Sequence, residues 1–264
     1  MNRALALALL AALCARADHK LDRKDIRTPA PMPPGSLLVI GFLGAWEEWD
    51  NDKRSVRKLA LHLRAQHLPG VYVETAGNRD RRTVLKFIRQ ALDQNRDKKL
   101  DATEKRSVSI ICYGQSFGGA ACVELARELD RLGIALRLTV QVDSVGRDDA
   151  WIPPNVARAL NLYQHDPGPV WGEAEIKAVD PAKTTILGNI RFFYFFRNVD
   201  MKDYPPLARR IGIAHWKMDN DPVVWNQVEA VILADIAAWH PGRLREGRLT
   251  PSATRSPATP PASP

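Results

Sequence analysis

Several kinds of residue or pattern are scarce in this sequence, and each shortage excludes a class of protein. Its 264 residues include three cysteines, too few for the disulfide frameworks of small secreted domains. No apolar run reaches the ~20 residues that a bilayer-spanning helix needs. The net charge is +8, but no lysine and arginine run is interleaved with aromatic residues as in a nucleic-acid groove. We therefore expect no stable membrane span and no nucleic-acid partner.

The remaining absences concern cofactors. No glycine-rich loop carries the lysine and the spacing of a nucleotide-phosphate site. Two pairs of aspartates, Asp50 with Asp52 and Asp219 with Asp221, suggest a metal site only weakly, because alternating acids in a loop are more often a solvated face or a helix cap. We expect no metal and no cofactor.

The two ends of the chain differ in composition from its middle. Residues 1–17 have a short positive start, an apolar stretch and an Ala-Arg-Ala sequence, as a signal peptide does. Lipidation at Cys14 stays open, although a leucine precedes it where a small residue is usual. Residues 18–35 are expected to be an extended lead-in, 36–240 the folded domain and 241–264 a disordered Pro/Ser/Thr/Ala tail. These ends predict an exported protein, periplasmic or secreted.

The most informative motif begins in an apolar run at 107–113 and continues as Gly114-x-Ser116-x-Gly118 before a helical pattern. A serine on a tight turn between a strand and a helix needs small residues on either side, because the backbone reverses there. This turn would push the Ser116 hydroxyl out of the fold. It would also direct the N–H groups of the next helix toward the atom that the serine attacks.

Strand and helix patterns alternate along the domain. Apolar runs predict strands over 36–42, 70–75, 107–113, 135–142 and 159–163, with a further strand at 192–196. Helical spacing predicts helices between them and a closing helix over 223–239. Alternation of this kind predicts a three-layer α/β/α sandwich with a mostly parallel central sheet. In such a sheet, ligands bind beyond the carboxyl ends of the strands.

The tight turn that carries Ser116 is a nucleophile elbow. This elbow, the three-layer plan and the succession of serine, aspartate and histidine resemble the α/β-hydrolase superfamily, in particular its lipase-like and esterase-like members. The resemblance covers residues 36–240 and implies a Ser-His-Asp triad. It assigns the nucleophile to Ser116 and the base to His215, which follows the last strand and precedes the closing helix. The acid is Asp143, at the end of the strand after the elbow, or alternatively Asp166, at the end of the next strand.

The same resemblance implies an oxyanion hole made of two backbone N–H groups. One belongs to Phe117, the residue after the nucleophile. The second comes from the loop after the first central strand, where Ile40-Gly41-Phe42 looks like the His-Gly-Phe segment of lipases with isoleucine in place of histidine. We assign it to Phe42, with Leu43 as the neighbouring alternative.

These residues predict an exported serine hydrolase that cleaves a carboxylic ester of a small molecule or lipid through an acyl-enzyme. Two alternatives stay open at this point, namely an acyltransferase on the same fold and a binding protein of the same fold whose triad is incomplete. Substrate selectivity is expected in the insertions 146–156 and 167–187, the segments long enough to cover a pocket.

Other features have plainer interpretations. Cys112 and Cys122 are expected to be buried, apolar and unpaired, without a disulfide. Glu47, Glu48 and the cluster Arg79–Arg82 are expected to be charged surface. The tryptophans at loop positions could line an acyl pocket or pack in the core, and the sequence favours neither; they are Trp46, Trp49, Trp151 and Trp171.

Overall fold

The structure is a computed structural model that describes residues 20–45, 47–211 and 213–239. It is a three-layer α/β fold, as the alternation of strands and helices predicts. The expected signal peptide, the expected disordered tail and Trp46 lie outside the described residues.

Six parallel strands form the central sheet in the order β2-β1-β3-β4-β6-β8. Their bounds are β1 Ser36–Leu43, β2 Val71–Gly77, β3 Val108–Gln115, β4 Leu136–Val142, β6 Val156–Gln164 and β8 Thr185–Phe192. Two short strands, β5 Trp151–Ile152 and β7 Lys177–Ala178, pair with each other outside this sheet. Because central strands are covered on both faces, they are continuous apolar runs rather than alternating ones.

The helices cover the two faces of the sheet. Their bounds are α1 Ser55–Ala65, α2 Arg81–Leu92, α3 Phe117–Arg131, α4 Pro206–Ile211, α5 Ala214–Asn220 and α6 Pro222–Trp239. Apolar side chains of α2 and α3 pack on one face, and those of α1 and α6 pack on the other. The expected closing helix over 223–239 corresponds to α6.

The strand order creates a crevice at one place along the sheet. The connection from β1 to β2 runs to one side, and the connection from β2 to β3 returns to the other side of β1. Crossovers that leave in opposite directions separate the helices beyond the carboxyl ends of β1 and β3, which is where open α/β sheets bind ligands. Ser116 follows β3 at this point, and Phe42 is the second-to-last residue of β1.

The last strand lies earlier in the chain than the aromatic run suggests. The prediction of a strand over 192–196 is wrong, because β8 covers Thr185–Phe192 and ends where the predicted strand begins. Phe193, Phe195 and Phe196 lie in the following loop, and Phe196 is 95% exposed. As β8 is an edge strand with many exposed side chains, its sequence lacks the apolar density of the inner strands.

The N-terminal segment is more closely attached than a lead-in would be. Leu21, Ile26 and Met32 are buried in the same cluster as α2 and α3. The Thr28 N–H and hydroxyl groups both donate to Glu74 Oε1, at 2.8 Å each. Residues 20–35 therefore form part of the folded unit.

Cys112 and Cys122 are fully buried, but the expectation that they are unpaired is wrong. They form a disulfide between β3 and α3, with their Cα atoms 5.8 Å apart. The elbow turns α3 back across the sheet, so the helix passes over the strand that precedes it. The disulfide therefore closes a loop that contains Ser116.

We predict that Cys112→Ala/Cys122→Ala lowers the free energy of unfolding by roughly 3 kcal/mol. The disulfide closes a loop between residues separated by 10 in sequence, and loop closure of this length stabilises by about that amount. Urea unfolding of the variant beside the native protein measures the difference. When the protein with its natural sequence is unfolded without reduction, alkylation should leave Cys112 and Cys122 unmodified. In unfolded Cys122→Ala, Cys112 should be alkylated. Alkylation of both cysteines in the unreduced natural sequence would contradict the pairing.

Candidate active site

The backbone at Ser116 adopts the conformation that the elbow motif requires. Its φ of 57° and ψ of −128° lie in a region that residues with a side chain rarely occupy. The Ser116 N–H donates to the Val142 carbonyl at 2.9 Å, and its carbonyl accepts from the Val145 N–H at 3.1 Å. Bonds to β4 and to the loop after it therefore hold the strained residue in place.

The two glycines of the motif allow close backbone contacts. A Cβ atom at Gly118 would lie 2.0 Å from the carbonyl oxygen of Phe42. A Cβ at Gly114 would lie 2.4 Å from the carbonyl carbon of Gly118. Any side chain at either position would force β1, β3 and the start of α3 apart, so the motif follows from steric contact at the elbow.

Ser116, His215 and Asp143 come together although they lie on three different parts of the chain. His215 Nε2 is 2.9 Å from Ser116 Oγ, and His215 Nδ1 is 2.6 Å from Asp143 Oδ2. The serine is 5% exposed, the histidine 2% and the aspartate 0%. With Nδ1–H donating to the carboxylate, Nε2 can accept the serine proton. The arrangement can therefore move a proton from the hydroxyl to the imidazole.

Asp143 is fixed by donors from the last residue of β6 and from the loop that follows it. Its Oδ1 accepts from the Gln164 N–H at 3.2 Å and from the Gly172 N–H at 2.9 Å. Its Oδ2 accepts from Gln164 Nε2, also at 2.9 Å. A Cβ at Gly172 would lie 2.6 Å from the Asp143 Cα, so only glycine brings its N–H this close. Gln164 and Gly172 are positioning residues that the sequence analysis missed.

Asp166 is not placed at the imidazole. Its carboxylate accepts from the Tyr194 N–H, and its carbonyl accepts from the Trp171 indole at 2.6 Å. The side chain is buried and anchors the loop after β8 to the loop after β6. The alternative acid Asp166 therefore holds two loops together, and Asp143 is the carboxylate beside His215.

The two predicted oxyanion donors belong to different elements of the fold, β1 and α3. Phe117 is the first residue of α3, where backbone N–H groups and the helix dipole favour negative charge. Phe42 lies in β1 between its partners Ala76 and Gly114, and its carbonyl contacts the Gly118 position. The next turn is held by the Gly44 N–H, which donates to Glu47 Oε2 at 3.1 Å.

A buried charged cluster of Glu47, Arg54 and Asp219 lies beside this site. Arg54 Nε is 2.5 Å from Glu47 Oε1, and Arg54 Nη1 is 3.7 Å from Asp219 Oδ2. Asp219 lies on α5, one turn after His215, and also accepts from the Tyr204 hydroxyl at 3.0 Å. The cluster therefore connects the loop after β1 to the helix that carries the histidine.

The cluster corrects two sequence expectations. Glu47 was expected at the charged surface, and Asp219 on a solvated face or at a helix cap; both are instead in the interior. Asp221 is also buried, but it accepts from the Val223 N–H at 3.0 Å in the first turn of α6, as a helix cap does. Acids without a periodic pattern give no sign of burial in a single sequence.

Burial changes the acidity of this cluster. Loss of hydration raises the pKa of the Glu47 carboxyl to about 7; Arg54 opposes this rise and Asp219 adds to it. Burial also raises the pKa of Asp219, against the effects of Arg54 and the Tyr204 hydroxyl. Two carboxylates share one guanidinium, so the cluster retains a proton near neutral pH.

A cavity of about 420 Å³ lies next to the elbow. Its wall is mostly apolar and includes Phe117, Val145, Pro169, Val170 and Trp171. Residues of the 167–187 insertion, Trp171 among them, thus line a cavity at the site. Trp49 instead packs against the core, and Trp151 is half exposed.

Neither a metal site nor a membrane helix is found in the part of the chain that the structure describes. There, no three His, Cys, Asp or Glu side chains are grouped so that they could hold a metal ion. None of the described helices combines the length and the apolar character needed to cross a bilayer.

Comparisons with known proteins give distant structural likenesses. No protein-family model matches the chain, and no curated protein matches it. A cutinase-like protein from Cryptococcus sp. is 13% identical with a TM-score of 0.30, over 47% of this chain and 62% of that one. The chain thus spans less than two thirds of that protein. The RedJ thioesterase from the prodiginine biosynthetic pathway in Streptomyces coelicolor is 13% identical with a TM-score of 0.37, over 86% of this chain and 95% of the thioesterase.

We predict that Glu47 makes stability fall as pH rises from about 5 to 7. Its pKa is about 7 in the folded protein against an ordinary 4.5, so the folded state binds the proton more tightly. The stabilisation from that proton is complete below pH 4.5 and is lost as pH rises through 7. Relative to Glu47→Gln, the native protein should lose on the order of 3 kcal/mol over this range.

Urea unfolding at a series of pH values measures this slope. Glu48→Gln is the matched control, because it removes the neighbouring, partly exposed carboxylate and should leave the slope unchanged. Equal slopes in the native protein and Glu47→Gln would show that Glu47 titrates alike in the folded and unfolded states.

Proposed function

We propose that this protein is a serine hydrolase that cleaves carboxylic esters through an acyl-enzyme. One observation supports the proposal above all: a strained serine, a histidine and a buried aspartate form one chain of contacts of 2.9 and 2.6 Å. A serine hydroxyl is a weak nucleophile at neutral pH and needs such a base with an oriented partner. On this proposal the chain is an α/β-hydrolase, as the sequence resemblance implies.

The reaction takes place in two steps. Ser116 Oγ attacks the ester carbonyl while its proton passes to His215 Nε2, and Asp143 stabilises the resulting imidazolium. The N–H groups of Phe117 and Phe42 bind the oxyanion. When the tetrahedral intermediate collapses, the ester C–O bond breaks and His215 returns the proton to the leaving alcohol. Water then repeats the sequence on the acyl-enzyme and restores Ser116.

The apolar cavity beside Phe117 supports an acyl substrate. Its volume of about 420 Å³ lies in the range of small-molecule sites. Trp171 and Val170 belong to the loop whose next residue, Gly172, holds Asp143. The wall of the acyl pocket and the support of the catalytic acid are thus the same segment, so changes in this loop should affect both selectivity and turnover.

We also propose that the protein is exported to the periplasm or secreted. The disulfide between Cys112 and Cys122 supports this location, because disulfides form and persist in oxidising compartments. The leader-like composition of residues 1–17 supports it too.

We predict that Ser116→Ala and His215→Ala abolish ester hydrolysis and that Asp143→Asn lowers kcat by about 10⁴-fold, because the asparagine disfavours the required imidazole tautomer. Hydrolysis of p-nitrophenyl esters of increasing acyl length measures turnover. A fluorophosphonate should label Ser116, as located by mass spectrometry.

Asp166→Asn is the control for the acid. Because Asp166 anchors Tyr194 and does not contact His215, we expect it to retain most of the turnover of the native protein. Equal losses in Asp143→Asn and Asp166→Asn would contradict the assignment of the acid. A folded native protein that neither turns over esters nor reacts with the fluorophosphonate would contradict the proposed function.

We predict that Gly172→Ala lowers kcat by at least about tenfold with a smaller change in KM. The new Cβ would displace Asp143 or remove its Gly172 hydrogen bond, and misplacement of catalytic groups by about 1 Å is costly. Gly168→Ala, in the same loop, is the matched control, since its nearest contact would be an ordinary 3.9 Å. Similar kinetics for the two variants would show that Gly172 has no positioning role.

A further inference from the structure

A second cavity lies on the opposite side of the Phe117 wall. It has a volume of about 430 Å³ and is formed by the segment that leads into α2, the first half of α3 and the loop after β4. Phe117, Gly146 and Arg147 line both this cavity and the apolar one. The two cavities therefore meet at the residue next to the nucleophile.

The second cavity is lined by an unusual number of cations. Four arginines contribute to its wall, namely Arg79, Arg81, Arg82 and Arg147. Among the lining residues, the acidic side chain is Glu124, which is ion-paired with Arg81. Arg81 also contacts Glu128 at 3.2 Å. The ion pairs hold Arg81 in the wall, and the charge of the lining as a whole is strongly positive.

Arg82 and Arg147 add like charge to a wall in which Arg81 already has its ion pairs. Arg81 and Arg82 begin α2 directly after its N-cap Asp80, and the first turn of the helix itself has no acidic residue. Cations are destabilising at a helix N-terminus, where the dipole is positive. Arg147, from a different loop, adds another like charge at the same wall. A concave surface with this charge is stabilised when an anion enters it, and local conflicts of this kind are typical of functional sites.

The wall between the arginines is suited to admit a ligand. Ala120 and Ala121 of α3 are small and leave room above the helix. The loop that carries Arg147 passes close to this helix, because a Cβ at Gly146 would lie 2.3 Å from the Ala120 Cβ. Arginine binds carboxylate and phosphate groups through paired N–H donors. The cavity thus combines the volume, the charge and the donors of an anion site.

We propose that the substrate of the Ser116 site carries an anionic phosphate or carboxylate group, which Arg82 and Arg147 bind in this cavity while the apolar part of the ester occupies the other one. The inference rests on the proposed ester hydrolysis. It narrows the substrate class from esters in general to amphipathic esters with one apolar and one anionic part. The sequence expectation that Arg79–Arg82 is simply charged surface would then be incomplete.

Two pairs of substrates test the proposal and locate the anion. The first pair is a p-nitrophenyl ester whose acyl chain ends in a carboxylate and the same ester with that carboxylate methylated. The second pair is a butyryl ester of glycerol 3-phosphate and the butyryl ester of glycerol. We expect kcat/KM to favour the charged member of at least one pair, and the favoured pair shows whether the anion belongs to the acyl part or to the alcohol.

Charge-removing variants connect this selectivity to the cavity. Arg82→Gln/Arg147→Gln should lower the charged-to-neutral ratio of kcat/KM by about tenfold, since each partly exposed ion pair is worth at most about fivefold. Lys86→Gln/Arg89→Gln is the matched control, because it removes the same charge from α2 outside the cavity and should keep the ratio. Added salt should lower the ratio in the native protein.

A binding measurement separates this inference from the proposed function. In Ser116→Ala, calorimetric titration should detect binding of inorganic pyrophosphate. Adding Arg82→Gln/Arg147→Gln should weaken this affinity, and adding Lys86→Gln/Arg89→Gln should leave it unchanged. If esters are hydrolysed but the charged-to-neutral ratio of kcat/KM is near one in both substrate pairs, the inference is overturned and the hydrolase proposal stands. The same holds if the two double variants lower that ratio equally. If esters are not hydrolysed at all, lack of pyrophosphate binding would overturn the inference as well.

Discussion

The contact between Gly118 and the Phe42 carbonyl is the steric constraint on which the site depends. Without a side chain at 118, the start of α3 lies against the end of β1, and the Ser116 backbone is held at a φ of 57°. This contact lies at the carboxyl ends of β1 and β3, the neighbouring strands from which the connections of the sheet leave in opposite directions. The nucleophile, the predicted oxyanion donors and the crevice therefore depend on one close backbone approach.

The parts of the fold that follow from local sequence could be predicted. The elbow motif reflects in part a local contact between Gly114 and Gly118. The inner strands are continuous apolar runs because helices cover both faces of the sheet. His215 was selected by its place after the last strand, not by a motif, and the choice between Asp143 and Asp166 needed the structure. Both aspartates end adjacent strands, and the hydrogen bonds that distinguish them come from Gln164, Gly172 and Tyr194.

The features that the sequence analysis missed are tertiary contacts. The disulfide depends on the angle at which α3 crosses β3, which the spacing of Cys112 and Cys122 does not determine. The edge strand β8 was misplaced because its partly exposed residues are less apolar than the aromatic run that follows it. Glu47 and Asp219 lie far apart in sequence, and only the folded chain brings both to Arg54.

The buried cluster of Glu47, Arg54 and Asp219 joins the loop after β1 to the helix that carries His215. Burial of two carboxylates and one guanidinium costs stability, because the ion pairs recover only part of the lost hydration. The cost falls on the loop after β1 and on α5, which carry residues close to the predicted oxyanion donor Phe42 and the proposed base His215. The same contacts thus cost stability while they hold together the two segments on which the proposed reaction depends.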